Sequence, residues 1–407
     1  MILRARHVVT MDGAPIENGA VLVRGDKIAE VGPWSNVKKS NGGNTIDLGE
    51  SALLPGLINA HCHLDYTCLR GAIPRQESFT AWIQAINVLK ATLTENDYLR
   101  SIEEGFAEAA AFGTTTAANL EAFPELLAGM DAPPLRTWWF AELIDVRAKQ
   151  PLVEICAQLQ RAFRRRDGWL GGLGLAPHAP FTASAQLYEE ASNLAQTNDL
   201  LLTTHLAESV DEMQMFSGAR GALFQFMESI GRGMDDAGDV TPVGLMLRHR
   251  ILDERCIVAH LNELTTDDFK LLAEAPRFHV VHCPRSHAYF AHARFGMRKL
   301  RDLGFNICVG TDSLASNDDL SLLAELRQLG TQEPNLSAQE LFEMVTVNAA
   351  AALQQADQLG RIRRGFAADL VALPCDASAS DIFEELLEFR GSIPWVMVSG
   401  QVLRQAA

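Results

Sequence analysis

Eight short apolar segments, each followed by a stretch of helical character, occupy residues 56–360 of this chain. The segments are almost continuously apolar, as strands buried on both faces must be. In chain order they read LLPGLINAH, TTTAANL, RTWWFAEL, GGLGLAPH, LLLTTH, CIVAH, FHVVHCP and NICVGTD. Eight strand–helix units within about 300 residues predict an α/β protein with a TIM-type (β/α)8 barrel.

The segments between these strands carry helix start signals. Three pairs have the spacing of a capping box: Thr94 with Asp97, Thr265 with Asp268, and Ser337 with Glu340. An open, doubly wound sheet is the competing arrangement. It is disfavoured because GGLGLAP lacks the G-x-G-x-x-G spacing of a dinucleotide-binding loop.

The two ends of the chain have a different residue pattern. Residues 1–55 and 361–407 alternate apolar and polar positions between Gly and Asp, as in GAVLVRGDKIAEVG and IPWVMVSGQVLRQ, which is typical of short strands and turns. We expect both termini to build one small composite β-sandwich domain, with the barrel at 56–360 between them. Two unrelated edge hairpins are the alternative.

Charge and cysteine content limit the possible partners. The formal net charge of −16 argues against binding to nucleic acid or to anionic lipid. No apolar run is long enough to span a membrane, and the N-terminus does not resemble a signal peptide. Seven scattered cysteines favour a reducing compartment over a disulfide framework. We expect a cytoplasmic protein with a small-molecule partner, and a homo-oligomer is compatible with this composition.

Polar residues end five of the eight strands. The first strand ends in His61-Cys62-His63, and the later ones in His178, His205, His260 and Asp312. The carboxyl ends of TIM-barrel strands form the active-site mouth. Each residue alone could be a packing or capping residue. Burying several imidazoles and a carboxylate together is costly without a cation, so the set indicates a metal site.

The expected metal ligands are His61, His63, His205 and Asp312. Imidazole and carboxylate donors suit Zn²⁺ or Fe²⁺, and a bound ion would make hydroxide available near neutral pH. We expect one divalent ion per chain, because only Glu142 offers a further carboxylate at the end of the third or fourth strand and no lysine ends either of them.

Glu208 follows His205 by three residues in TTHLAES. A carboxylate that does not bind the metal but lies beside it is suited to moving protons. The alternative is a first-turn residue of the next helix, where the helix dipole favours Glu. The spacing alone leaves both interpretations open.

Together these motifs resemble the amidohydrolase superfamily, in the mononuclear aminohydrolase branch that includes guanine deaminase, methylthioadenosine/S-adenosylhomocysteine deaminases, aminodeoxyfutalosine deaminases and triazine hydrolases. LLPGLINAHCHLD, TTHLAES, VAHLNEL and VGTDSLASNDDL carry the resemblance. It implies that Glu208 takes a proton from water and delivers it to a substrate ring nitrogen, that His260 orients the water, and that Asp312 assists as a base.

The resemblance implies a metal-dependent hydrolytic deaminase. The expected substrate is a 6-aminopurine nucleoside of the aminodeoxyfutalosine, S-adenosylhomocysteine, methylthioadenosine or adenosine type, converted to its oxo form with release of ammonia. A triazine/chlorohydrolase-type or guanine-type hydrolase with the same metal chemistry is the alternative.

Four residues are the expected substrate contacts. His178 in LAPHAPFT resembles a sugar contact, although support for the water at the metal is the alternative. Trp82 in FTAWIQAIN could stack on a heterocycle or lie in the core. Ser313, beside Asp312, and His287 complete the set.

The segment HCPRSHAYFAHARF departs from the family pattern. His287 stands where relatives usually have Asn, and His282 and His292 are additional. This departure looks more like the aminodeoxyfutalosine deaminase-like branch. The alternative is that these histidines are surface loop residues.

Overall fold

The computed structural model describes residues 1–40, 44–146, 148–149, 151–164, 168–376, 378 and 380–405. Its strands are, in chain order, β1 (Ile2–Val8), β2 (Ile16–Arg24), β3 (Lys27–Pro33), β4 (Thr45–Asp47), β5 (Ser51–Pro55), β6 (Leu57–His63), β7 (Thr114–Glu121), β8 (Arg136–Leu143), β9 (Gly171–Pro177), β10 (Leu201–Leu206), β11 (Cys256–His260), β12 (His279–His282), β13 (Asn306–Val309), β14 (Asp312–Ser313), β15 (Leu370–Pro374), β16 (Trp395–Val398) and β17 (Gln401–Gln405).

Through the middle of the chain, helices alternate with these strands. They are α1 (Trp34–Ser40), α2 (Phe79–Lys90), α3 (Glu95–Ala111), α4 (Leu152–Arg164), α5 (Ala185–Asn198), α6 (Val210–Gly218), α7 (Ala222–Ser229), α8 (Pro242–Arg248), α9 (Thr266–Glu274), α10 (Pro284–Tyr289), α11 (Met297–Asp302), α12 (Leu322–Gln332), α13 (Ala338–Met344), α14 (Val347–Ala352) and α15 (Ile382–Glu388). Two short 3-10 helices lie at Leu64–Leu69 and Pro124–Gly129. The three predicted capping boxes are all present.

The central sheet is a closed parallel barrel. Its strand order is β13-β12-β11-β10-β9-β8-β7-β6-β14. Only Gly310 and Thr311 separate β13 from β14, so these two segments are one interrupted eighth strand. The first segment pairs with β12 and the second pairs with β6, which joins the last strand to the first. The predicted TIM-type fold is confirmed.

Gly310 makes this closure possible. A Cβ atom at position 310 would lie 2.6 Å from the carbonyl oxygen of His61 and 2.8 Å from its Cβ. Because these atoms belong to the backbone and stem of a neighbouring strand, they cannot move aside easily. The eighth strand can therefore approach the first only where a side chain is missing.

Both ends of the chain build a second sheet. Its path runs β17-β16-β15-β5-β1-β2-β3, with β4 added beside β1. Antiparallel pairing of β5 with β15 joins the N-terminal strands to the C-terminal ones. The predicted composite domain is therefore present, and its strands form one connected sheet. The segment LLPGLINAH contributes to both sheets, because β5 ends at Pro55 and β6 begins at Leu57.

The two-residue period of β8 decides which side chains reach the barrel interior. Trp138 and Phe140 belong to the cluster inside the barrel. Trp139 and Leu143 belong to the cluster between the strands and the surrounding helices. Glu142 lies two residues beyond Phe140, so it faces inward at the carboxyl end of the strand.

In the described part of the chain, every helix is too short or too polar to cross a lipid bilayer.

Candidate metal centre and substrate cavity

The four predicted metal ligands lie together at the barrel mouth. One side-chain donor atom from each of His61, His63, His205 and Asp312 lies within 4.8 Å of the others, and all four residues are buried. The Nε2 atoms of His63 and His205 are 3.2 Å apart. Asp312 Oδ1 is 3.8 Å from Nε2 of both His61 and His63.

An irregularity in strand pairing turns the first two ligands toward the mouth. Ile58 and Ala60 lie in the cluster inside the barrel, so a regular strand would direct Cys62 inward and His61 outward. The register between β6 and β7 shifts between Asn59 and Cys62. After this bulge the two histidines face the mouth, and the Cys62 thiol packs 3.6 Å from the Ala118 carbonyl oxygen.

Left-handed backbone at two strand ends orients the other groups. His260 has φ +77° and Asp312 has φ +57°, a backbone conformation that few non-glycine residues adopt. Asp312 is also held by hydrogen bonds from two sides. Ser286 Oγ donates to Oδ2 at 2.6 Å, and the backbone N–H of Ser313 donates to Oδ1 at 2.8 Å.

The hydrogen-bond pattern fits a bound cation. His205 Nδ1 donates to the His178 carbonyl oxygen at 2.8 Å, which leaves Nε2 as the ring nitrogen that can bind a metal ion. Both ring nitrogens of His61 are buried without a hydrogen-bond partner among the described residues. Burial lowers the pKa of His61 and of His63, which keeps both imidazoles in the neutral form that binds metals. A divalent ion would satisfy these donor atoms.

Glu208 lies beside this set. Its Oε1 is 3.6 Å from His260 Nε2, and the carboxylates of Glu208 and Asp312 converge with His260 within 4.8 Å. Helix α6 begins only at Val210, with Ser209 as its cap, so Glu208 precedes the helix instead of forming its first turn. Burial, followed by the Asp312 carboxylate, raises the pKa of Glu208.

A cavity of about 850 Å³ opens onto these residues. His178, Trp82 and Ser313 line it, together with His63, His205, Glu208 and Asp312. His260 and His287 are not part of its lining. The walls are largely apolar and aromatic; Phe79, Ile83, Ile86, Phe181, Phe226, Met227 and Ile230 contribute to them. This combination of apolar walls and a few convergent polar groups is typical of small-molecule sites.

The residues predicted to contact the substrate differ in their surroundings. Trp82 stacks against Phe79, with ring centroids 6.0 Å apart, and meets Phe290 edge-on at 5.0 Å. His178 hydrogen-bonds Thr182 Oγ1 through Nδ1 at 2.7 Å. His287 donates Nε2–H to the Ala293 carbonyl oxygen at 2.8 Å.

The interpretation of the histidines after the seventh strand as surface loop residues is wrong for His282 and His287. Both are buried, and His292 is partly buried. The His282 ring stacks on Phe295 with centroids 4.1 Å apart. His282 ends β12, and His287 lies on α10, which packs against α12.

Sequence reasoning missed one group that positions a ligand and two that line the cavity. Ser286, on α10, donates a hydrogen bond to Asp312. It belongs to the CPRS motif, from which the sequence analysis predicted no contact with Asp312. Lys90 lines the cavity with its ammonium 4.5 Å from the centroid of the Tyr66 ring. Glu142, considered only for a second metal, also lines the cavity.

A closed parallel barrel with three histidines, an aspartate and a flanking glutamate at its mouth defines the class of TIM-barrel metal-dependent hydrolases. The profile of the Amidohydrolase family matches residues 52–403. The chain belongs to this family, and the resemblance inferred from the motifs is confirmed.

Similar proteins extend over nearly the whole chain. It is 27% identical to a 5'-deoxyadenosine deaminase of Methanothrix thermoacetophila, over 99% of this chain and 94% of the relative. It is 28% identical to a 5-methylthioadenosine/S-adenosylhomocysteine deaminase of Pyrococcus furiosus, over 92% and 86%. The crystal structure of Helicobacter pylori aminofutalosine deaminase with methylthio-coformycin superposes with a TM-score of 0.86 at 20% identity, covering 99% of each chain.

Proposed function

We propose that this protein is a hydrolytic deaminase that converts a 6-aminopurine nucleoside to its 6-oxo form and releases ammonia. The observation that carries the proposal is the position of Glu208, a carboxylate beside the candidate metal ligands that faces a cavity of about 850 Å³. The names of the relatives, a 5'-deoxyadenosine deaminase and a methylthioadenosine/S-adenosylhomocysteine deaminase, support the same substrate class.

One divalent ion, Zn²⁺ or Fe²⁺, is part of this proposal. His61, His63, His205 and Asp312 would hold it, because three imidazoles and one carboxylate match the donors that these ions prefer. When bound, the ion lowers the pKa of a water molecule and supplies the attacking hydroxide.

Glu208 is assigned the proton transfers. Its carboxyl group faces the cavity, so it can hold a proton taken from the attacking water and pass it to a ring nitrogen of the substrate. Protonating the ring nitrogen makes the adjacent carbon more electrophilic. The second proton of the water then passes through the same carboxyl group to the exocyclic amine, which leaves as ammonia.

Two further groups act on the same side of the substrate. His260 Nε2 has no hydrogen-bond partner among the described residues and lies 3.6 Å from Glu208, so it can hydrogen-bond the oxygen added to the ring carbon. Asp312 acts as a base for that oxygen while Ser286 fixes its orientation. His178, Trp82 and Ser313 contact the substrate from the cavity wall.

The apolar walls favour an adenosine whose 5' substituent is uncharged and apolar. Phe226, Met227 and Ile230 lie on α7 and at its end, and all three line the cavity. A small deoxy or methylthio substituent would bury apolar surface there. A cytoplasmic location belongs to the same proposal and is supported by the seven free cysteines.

The test is turnover of a panel of aminated heterocycles by protein loaded with Zn²⁺ or Fe²⁺. We expect 5'-deoxyadenosine or methylthioadenosine to change from the ultraviolet spectrum of a 6-aminopurine to that of a 6-oxopurine, with one ammonia released per nucleoside. Turnover of guanine or of a chlorinated triazine, with no turnover of any 6-aminopurine nucleoside, would contradict the proposal.

A further inference from the structure

Glu208, the proposed proton carrier, lies in the loop between β10 and α6, and two buried side chains bind its backbone there. The carboxylate of Glu212 accepts from the Glu208 N–H at 2.8 Å and from the Ala207 N–H at 3.2 Å. From the other side, Asn262 Nδ2 donates to the Glu208 carbonyl oxygen at 3.1 Å. Both polar groups of the Glu208 backbone are therefore held by side chains.

Glu212 does more than cap its own helix. Helix α6 begins after Ser209, whose hydroxyl accepts from the Glu212 N–H at 3.2 Å, so Glu212 occupies the third helical position. In three other helices a carboxylate at this position accepts from the N–H of the cap residue itself: Asp97, Asp268 and Glu340. The Glu212 carboxylate reaches one and two residues further back, to Glu208 and Ala207. Capping α6 does not require this reach.

The burial of both side chains indicates that these contacts matter. Glu212 is 0% exposed and Asn262 is 4% exposed. Burying a carboxylate or an amide is costly unless it forms hydrogen bonds. Within the described part of the chain, the bond to the Glu208 carbonyl oxygen is the one hydrogen bond of the Asn262 side chain, because Oδ1 has no partner there. Asn262 is thus buried for a contact with the proposed proton carrier.

The backbone around Glu208 adopts a conformation that needs such support. Ala207 has φ +50°, and Leu261 on the neighbouring strand end also has φ +50°. Few non-glycine residues adopt this conformation, and those that do depend on the contacts around them. Two backbone hydrogen bonds join the segments, from the Leu261 N–H to the Leu206 carbonyl oxygen and from the Glu263 N–H to the Ala207 carbonyl oxygen. The loop that carries Glu208 is therefore fixed from several sides.

We propose that Glu212 and Asn262 are positioning residues that hold the Glu208 carboxyl group where it reaches both the attacking water and the leaving amine. This inference rests on the proposed deaminase function, in which Glu208 transfers both protons. A displacement of about 1 Å at a reacting group can cost about 100-fold in rate. Neither residue is a candidate metal ligand or lines the cavity, so both act through Glu208 and not on the metal or the substrate.

The experiment compares methylthioadenosine with its 6-chloro analogue in the metal-loaded wild type, in Glu212→Gln and in Asn262→Leu. The amine has to be protonated before it leaves, whereas chloride leaves as an anion and needs no proton from Glu208. We expect kcat/KM for methylthioadenosine to fall by about 10- to 100-fold in each variant, and kcat/KM for the chloro analogue to fall only a few-fold. A purely structural defect would lower both values equally.

The matched control is Glu340→Gln, which removes a carboxylate from the same helical position of α13. Glu340 does not line the cavity, so its variant should keep both kcat/KM values. Metal content per chain should be equal in all proteins. A double variant, Glu208→Gln with Glu212→Gln, should be no slower than Glu208→Gln alone, because residues that act through one group are not additive.

An equal loss for both nucleosides in folded, metal-loaded variants would overturn the inference, and so would unchanged kcat/KM for methylthioadenosine. A double variant that is slower than Glu208→Gln by the full factor of Glu212→Gln would contradict it as well. If Glu212→Gln does not fold, Asn262→Leu decides alone. Absence of turnover of every 6-aminopurine nucleoside by the metal-loaded wild type would instead overturn the proposed function.

Discussion

Asp312 is held in place by the protein before any metal binds. It accepts hydrogen bonds from Ser286 Oγ and from its neighbour's backbone N–H, and Ser316 Oγ lies 3.4 Å from Oδ2. These contacts fix the carboxylate in a left-handed backbone position. The cost of ordering this candidate metal ligand is thereby met during folding and not on binding.

Ser286→Ala removes the shortest of these hydrogen bonds without changing a ligand. We expect the affinity for Zn²⁺ to fall by about 10- to 100-fold, as is usual when a group that orients a ligand is lost. Competition with a chelator of known affinity measures this. Ser229→Ala, at an exposed position on α7, is the control and should bind Zn²⁺ as the wild type does. Unchanged affinity in Ser286→Ala would show that Asp312 is oriented without it.

Glu208→Gln keeps the size of the side chain and removes its ability to move a proton. We expect kcat to fall by about 100- to 10,000-fold, the usual contribution of a general acid–base group. Metal content should stay the same, because Glu208 is not one of the four ligands proposed for the ion. Loss of the metal along with activity would instead make Glu208 a ligand, and unchanged kcat would exclude it from proton transfer.

The candidate metal ligands could be predicted from the sequence because they lie at the carboxyl ends of strands. His61, His63, His205 and Asp312 could be selected because each closes an apolar run, and barrel topology brings such ends together. The bulge that aims the first pair could not be predicted, since it depends on the register of β6 against β7. The contact between Ser286 and Asp312 was equally hidden, because it joins side chains 26 residues apart.

At the scale of elements, the interrupted eighth strand controls both barrel closure and the site. Its first segment pairs with β12, its second pairs with β6, and Gly310 between them lies where a Cβ atom would clash with His61. The helices were easier to predict than this break, since capping boxes are local in sequence. Strand interruption results from contacts between the first and last strands, which no local pattern contains.

Gly310→Ala tests the closure. We expect a loss of about 1–3 kcal/mol in the free energy of unfolding, because the added methyl group meets backbone atoms of His61. Zn²⁺ affinity should fall as well, since His61 is displaced. Gly129→Ala is the matched control, because a Cβ there meets nothing within 4 Å. Urea unfolding of both variants measures the difference. Equal stability would mean that β6 and the eighth strand can accommodate a methyl group between them.

Glu340 joins the start of α13 to α11. Its carboxylate accepts from the Ser337 N–H at 2.9 Å and from Arg301 Nη2 at 2.5 Å. The hydrogen bonds from Ser337 and Arg301 lower the pKa of Glu340 from 4.5 to about 2. Since the folded state binds this proton less tightly than the unfolded state, the carboxylate stabilises the fold above about pH 4.5, and this is lost as pH falls toward 2.

Glu340→Gln should therefore lower the free energy of unfolding at pH 7 by roughly 1 kcal/mol, the usual value of a charged cap on a partly exposed helix. Urea unfolding at a series of pH values should show the difference from wild type shrinking between about pH 5 and pH 3.5. A difference that is constant over this range would mean that the charge of Glu340 does not contribute.

At the scale of the whole molecule, the two ends of the chain meet in one sheet beside the barrel. The sequence predicted this composite domain from the alternating texture of both termini. Its connectivity could not be predicted, because the joining pair, β5 with β15, comes from strands more than three hundred residues apart. The barrel in turn presents the four candidate metal ligands and Glu208 together at its mouth.

The central claim is that this rim performs hydrolytic deamination of a purine nucleoside. Its most direct test is mass spectrometry of the product formed from methylthioadenosine in water labelled with heavy oxygen, using the metal-loaded protein. We predict a 6-oxopurine nucleoside that carries one labelled oxygen, formed together with one equivalent of ammonia. Recovery of unchanged nucleoside from protein with a full complement of metal would contradict the account.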